Sequence, residues 1–131
     1  MNHKDIRWKQ RFKDFEKTLK NLERALKVES PDDIYRAGII KFFEVSFELA
    51  WKTLKDYLEA SGYLVKSPRG TIQQAFKDEI IQDGHAWIEA LERRNLMSHT
   101  YNEKLILEAE SIIRDRYFTL LQQVYEKLKN E

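Results

Sequence analysis

Arg94, His99 and Tyr101 bring a guanidinium, an imidazole and a phenol into the segment Arg94-Asn95-Leu96-Met97-Ser98-His99-Thr100-Tyr101. These are the side chains a metal-independent phosphodiester site needs. Arginine matches phosphate oxygens through paired donors. A histidine titrating near neutrality can move the proton of a 2'-hydroxyl or of a leaving group. Tyrosine offers a hydroxyl nucleophile or a stacking face. In one unbroken helix the five-residue separation would turn Arg94 and His99 about 140° apart, so their convergence requires the helix to end between them. Asn95, Ser98, Thr100 and Asn102 compete well for backbone hydrogen bonds outside helices, which predicts a turn here. Spacing alone carries little weight, because with three histidines and nine arginines an Arg-x(4–6)-His match arises by chance about 0.6 times.

The elements that must position these groups read as helices. Four glycines, two prolines and almost no alternating β-branched stretches point to helices joined by short turns. Trp8, Phe12, Phe15, Leu19, Leu22 and Leu26 recur at steps of four and three, predicting an amphipathic first helix over roughly residues 4 to 28. Ser30-Pro31-Asp32-Asp33 reads as a cap, a proline in the first turn and acids facing the helix dipole. In the second helix the polar strip Lys41, Glu44, Glu48, Lys52, Lys55 and Glu59 is narrow, and the apolar residues around it predict burial on more than one side. A second buried side in so small a chain suggests a homodimer. Ser61-Gly62 closes that helix. Lys66-Ser67-Pro68-Arg69-Gly70 then reads as a connection to a short helix carrying Ala75, Phe76 and Ile80. A fourth helix after Asp83-Gly84 holds Trp87, Ile88 and Leu91 and runs into Arg93-Arg94-Asn95. The last, capped by Asn102, carries Ile106, Ala109, Ile113, Tyr117, Leu120, Val124 and Leu128. The expected fold is all-α, an up-and-down bundle of four main helices plus one short helix.

Composition narrows the chemistry further. A length of 131 residues fits one domain, 1–131. No apolar run approaches the roughly 20 residues of a membrane span, and no secretory signal is visible, so a cytoplasmic location is the default expectation. Zero cysteines exclude disulfides and thiolate metal sites. No metal and no cofactor is expected. Glu44 and Glu48 share a face with lysines and read as ordinary i,i+4 pairs, and no histidine follows a glutamate by three as a di-iron bundle would require. A net charge of +1 leaves no bulk basic surface, so any RNA contact must be local. Arg69 and Lys66, in a loop without P-loop glycine spacing, and Arg93 can lend positive charge to an anion site. His3 and His85 read as solvated or structural.

Phe43-Glu44-Val45-Ser46-Phe47-Glu48-Leu49-Ala50-Trp51-Lys52-Thr53-Leu54-Lys55-Asp56-Tyr57-Leu58, then Ser67-Pro68-Arg69, Ala75-Phe76, Trp87 and the segment from Arg94 to Tyr101, resemble the nucleotidyltransferase substrate-binding proteins of the HepT-like HEPN branch. The resemblance spans most of the chain in the expected order. It implies a helical bundle that dimerises with the Arg-His motifs of two subunits near a shared cleft, and a minimal nucleotidyltransferase as partner. It further implies that Arg94 and His99 match a ribonuclease pair, Asn95 the polar residue beside the arginine, and Tyr101 a tyrosine that the partner adenylylates.

Three functional readings follow. In the first the protein is a metal-independent ribonuclease toxin: His99 moves a proton, Arg94 steadies the phosphate, Asn95 orients the site, and adenylylation of Tyr101 blocks RNA entry. In the second it is a non-catalytic subunit holding a nucleotide or other substrate for the transferase. In the third it is a dimeric helical scaffold in which Arg94 pairs with an acidic neighbour.

Overall fold

In the computed structural model, residues 2–97 and 102–131 are described, apart from the side chains of Asn95 and Leu96. The helices are α1 (His3–Leu26), α2 (Asp33–Ala60), α3 (Pro68–Lys77), α4 (Gly84–Met97), α5 (Glu103–Ile112) and α6 (Phe118–Lys129), with a π-helical turn, Ile113–Tyr117, joining the last two. No strand occurs among the described residues. The expected all-α bundle, with α3 as its short helix, is what forms.

The apolar stripe of α1 does what its spacing predicts. Trp8, Phe15, Leu19 and Leu22 are buried, and each contributes about 1.5 to 3 kcal/mol by leaving water. They face α2, which runs antiparallel: the Trp8 and Tyr57 rings meet edge to face at 5.0 Å, and Arg11 Nε lies 3.2 Å from Asp56 Oδ2. Other sides of α2 are also covered by its own chain. Phe43 stacks on Tyr117 at 5.6 Å, and Phe47 packs on Trp87 at 5.4 Å. The many-sided burial that suggested a dimer is therefore accounted for within one subunit. A different face of α2 stays uncovered: Ile34 is 85% exposed, Phe42 is 37% exposed, and Val45 and Leu49 are half-buried beside them. Helical spacing sets these four on one stripe.

Chain punctuation follows the sequence in most places and departs from it in three. At Ser30-Pro31 the expected cap does not form; Asp32 caps α2 by accepting from Tyr35 N at 2.8 Å, and Pro31 is buried ahead of the helix. A carboxylate two residues further on competes better for the free N–H groups than the serine does. Ser67-Pro68 has no such competitor downstream, and there Ser67 caps α3 with Pro68 in the first turn, so the helix starts within the stretch read as a connection. Ile80 lies beyond α3, because the helix closes with Ile80 N bonding to Ala75 O at 2.9 Å and Glu79 N to Phe76 O at 3.1 Å. This Schellman geometry sets the residue after the cap left-handed, and Glu79 takes φ 60°. The same closure ends α2, where Gly62, at φ 99°, fills the equivalent place.

The last rod also differs from an uninterrupted α-helix. Asn102 caps it as predicted, but Phe118 N bonds to Ile113 O, five residues back. Around this wide turn Arg114 donates to Leu26 O at 2.6 Å and Val28 O at 2.7 Å. Leu26 is the last residue of α1 and Val28 follows its cap, so Arg114 closes one helix from another. Glu110, buried between Arg36 and Arg114 at 2.8 Å from each, fixes that corner. No described helix is long and apolar enough to cross a membrane.

Candidate functional site

The C-terminal half of α4 carries the site. Trp87, Ala90 and Arg94 fall at i, i+3 and i+7, so Arg94 occupies a position on the apolar stripe, where a leucine would normally sit. Trp87 and Ala90 are buried, and the Arg94 side chain is only 18% exposed. Its guanidinium stands 5.8 Å from the centre of the Phe47 ring and pairs with Glu48 of α2. The Glu48 carboxylate is itself held: Trp51 Nε1 donates to Oε2 at 3.1 Å, and Lys52 Nζ lies 3.3 Å from Oε1. Partial burial works to raise the Glu48 carboxyl, but the bonds from Trp51 and Lys52, and then the charges of Arg94 and Lys52, hold it below its ordinary value. Glu48 is therefore an anion at neutral pH. With Lys52 and Arg94 it makes a fixed group of one net positive charge.

The expected i,i+4 pair of Glu48 with Lys52 is present, and Glu48 does more than that reading allowed, because it reaches across to α4. A second group of the same kind lies on another side of the helix. Glu89 Oε1 accepts from the Tyr117 hydroxyl at 2.7 Å, with Arg116 Nη1 at 3.2 Å and Arg93 Nε at 3.7 Å. The Tyr117 bond lowers the Glu89 carboxyl more than burial raises it, and Arg116 and Arg93 lower it further. Burial and the bond to Glu89 push the Tyr117 phenol well above its ordinary value, so it stays a donor.

The other expected residues fall as follows. Arg69, on the first turn of α3, donates to Glu92 of α4 at 2.7 Å; it stands near the same helix but on a separate acidic partner. Lys66 is exposed and forms no ion pair with a described residue. Asn95 belongs to α4, but its side chain, like His99 and Tyr101, lies outside the described residues. α4 ends at Met97 and α5 begins at Glu103. No group of three potential ligands that could hold a metal occurs among the described residues.

Sequence reading missed Glu48 as the partner of Arg94, and missed Glu89, Arg116 and Tyr117 altogether as a group. One signal was present. A charged residue on the stripe of Trp87 and Ala90 costs burial energy unless it is paired, which marks Arg94 independently of its distance from His99. The helix C-terminus is the negative end of the dipole, so an anion here is held by side chains alone. What the arrangement offers is a largely buried guanidinium, oriented by an aromatic ring and a carboxylate, with further cations close by, chemistry able to meet an anion.

Comparison with known proteins bears on the fold and the family. A Thermus thermophilus protein of known crystal structure superimposes with a TM-score of 0.81 at 33% identity, over 88% of this chain and 98% of that one. A Haemophilus influenzae structure, described as revealing the fold of a substrate binding domain of a nucleotidyltransferase, superimposes with a TM-score of 0.70 at 22% identity, over 97% of this chain and 99% of that one. The second likeness bears on fold alone. No curated protein matches the chain. The family model described as nucleotidyltransferase substrate binding protein like matches residues 10–130, a span that includes every helix after the start of α1, and the chain belongs to that family.

Proposed function

We propose that the protein is the ligand-binding subunit of a two-component nucleotidyltransferase, holding a nucleotide or similar phosphate-bearing substrate at Arg94 while a separate minimal nucleotidyltransferase supplies the chemistry. The observation that carries this reading is the placement of Arg94 on the apolar stripe of α4, clamped between Phe47 and Glu48. Family membership supports the same role. Glu48 serves as the resident counter-ion, which an incoming phosphate displaces or joins; two donors on a planar fork suit that exchange better than a lysine would. A homodimer belongs to the same proposal. The uncovered stripe of Ile34, Phe42, Val45 and Leu49 on α2 supports it, and Glu48 and Lys52 lie along one edge of that stripe on the helix, so a second copy seated there brings two Arg94 sites near each other.

The order Arg94, His99, Tyr101 favours a second reading, a metal-independent ribonuclease in which Arg94 steadies the scissile phosphate, Asn95 orients it and His99 moves the proton, with Tyr101 adenylylated by the partner. One pair of measurements separates the two. ATP titrated calorimetrically into the purified protein, and a fluorescent oligoribonucleotide incubated with it, should give binding without cleavage under the first reading. Cleavage that disappears in His99→Ala establishes the second and overturns the first.

A further inference from the structure

We infer that Arg93 and Arg116, gathered on Glu89, form a second anion subsite that takes a phosphate group of the same ligand that Arg94 engages. The inference deepens the ligand-binding reading and rests on it for the nature of the ligand. Three observations carry it.

Charge arithmetic comes first. Two guanidinium groups share one carboxylate oxygen that also accepts the Tyr117 hydroxyl. Each guanidinium has five N–H donors, so one shared oxygen leaves most of them directed elsewhere, and the three charged side chains carry one net positive charge. Both arginines are about half exposed, at 51% and 48%, which leaves them within reach of a ligand. Second, the counter-ion is fixed. Glu89 is held from the core by a fully buried tyrosine, and that tyrosine ends the π-helical turn that also carries Arg116. Turns of this kind are frequent at functional sites. An ordinary surface pair has no such anchor and costs side-chain entropy to assemble; here the carboxylate is already in place, so the two arginines converge before a ligand arrives. Third, the placement extends the first site. Arg93 and Arg94 are neighbours on α4 and turn about 100° apart, one toward the π turn and one toward α2. The helix thus presents cation, carboxylate and cation groups on two sides of one end. A single phosphate meets one group; a ligand with several phosphate groups can meet both. Tyr117 acts here as a positioning residue, through Glu89.

The test uses inorganic tripolyphosphate, followed through the Arg side-chain Nε–Hε resonances in NMR spectra of the full chain. Saturable shifts are expected at Arg93 and Arg116. Arg116→Ala is expected to weaken tripolyphosphate binding about tenfold. Arg93→Ala is expected to weaken it to a similar degree, a loss that a purely structural pairing of Arg93 with Glu89 would not give. Silent Arg93 and Arg116 resonances, or unchanged affinity in Arg116→Ala or Arg93→Ala, overturns the inference. Its fate is separable from that of the proposed function. ATP binding lost in Arg94→Ala with Arg93 and Arg116 silent removes the second subsite and leaves the ligand-binding role. Tripolyphosphate shifts at Arg93 and Arg116 in a protein that binds no ATP leave the subsite and remove the role.

Discussion

Two buried or half-buried carboxylates of α2 show how environment assigns different work to the same chemical group. Glu48 meets Trp51, Lys52 and Arg94 and is held ionised. Asp56 is 5% exposed; burial pushes its carboxyl up, Arg11 and Arg7 pull it only part of the way back, and its Oδ2 accepts no hydrogen bond from a described residue. The folded carboxyl of Asp56 thus titrates above its unfolded value of 3.8. Between those two values the folded state binds more protons, so this group's stabilising contribution is full at low pH and is lost as pH rises through the folded value. Asp56→Asn cannot titrate. Urea midpoints of the two proteins from about pH 4 to about pH 7 should therefore diverge in favour of Asn as pH rises; parallel curves would refute the assignment. At this scale Arg94 was legible in the sequence as a charge on an apolar stripe. Glu48 was legible only as one member of a lysine-rich strip, because its pairing across 46 positions depends on how α4 lies against α2.

Helix ends were the most readable elements, and the exceptions have local causes. Gly62 and Glu79 occupy equivalent places after α2 and α3, both left-handed. The glycine announces its turn; the glutamate does not, since nothing in its side chain favours that backbone. A side chain in this conformation costs about 1 kcal/mol, and glycine's greater unfolded freedom returns roughly half of that. Glu79→Gly should stabilise the protein by about 0.5 kcal/mol, visible as a rise of roughly 2 °C in thermal melting; a lower melting temperature would show that Glu79 makes a compensating contact. The π turn left no trace in the sequence because Ile113, Tyr117, Leu120 and Val124 keep a spacing that an α-helix also satisfies. Its consequences, Arg114 on the end of α1 and Tyr117 on Glu89, come from contacts between distant segments.

Over the whole molecule, the number, order and type of helices followed from periodicity and breakers, whereas the cover on α2 did not. Its many apolar residues fitted a dimer or a central helix equally well, and most of them are buried within the same chain, chiefly against α1 and α3, with Phe43 and Phe47 meeting Tyr117 and Trp87. The proposed pairing rests on the residual stripe, and Phe42→Glu should place a charge in its middle without touching the core. Sedimentation is expected to show the parent chain as a dimer and this variant as a folded monomer at micromolar concentration; a monomeric parent would remove pairing from the account. The central claim concerns Arg94. Calorimetric titration of ATP into the parent chain, Arg94→Ala and Arg94→Lys, each checked for unchanged helicity by circular dichroism, tests it most directly. Loss of charge-assisted bonds worth about 1.5 to 3 kcal/mol predicts affinity at least tenfold weaker in Arg94→Ala, with Arg94→Lys in between because a point charge replaces a fork. Equal ATP affinity in all three folded proteins would contradict the account.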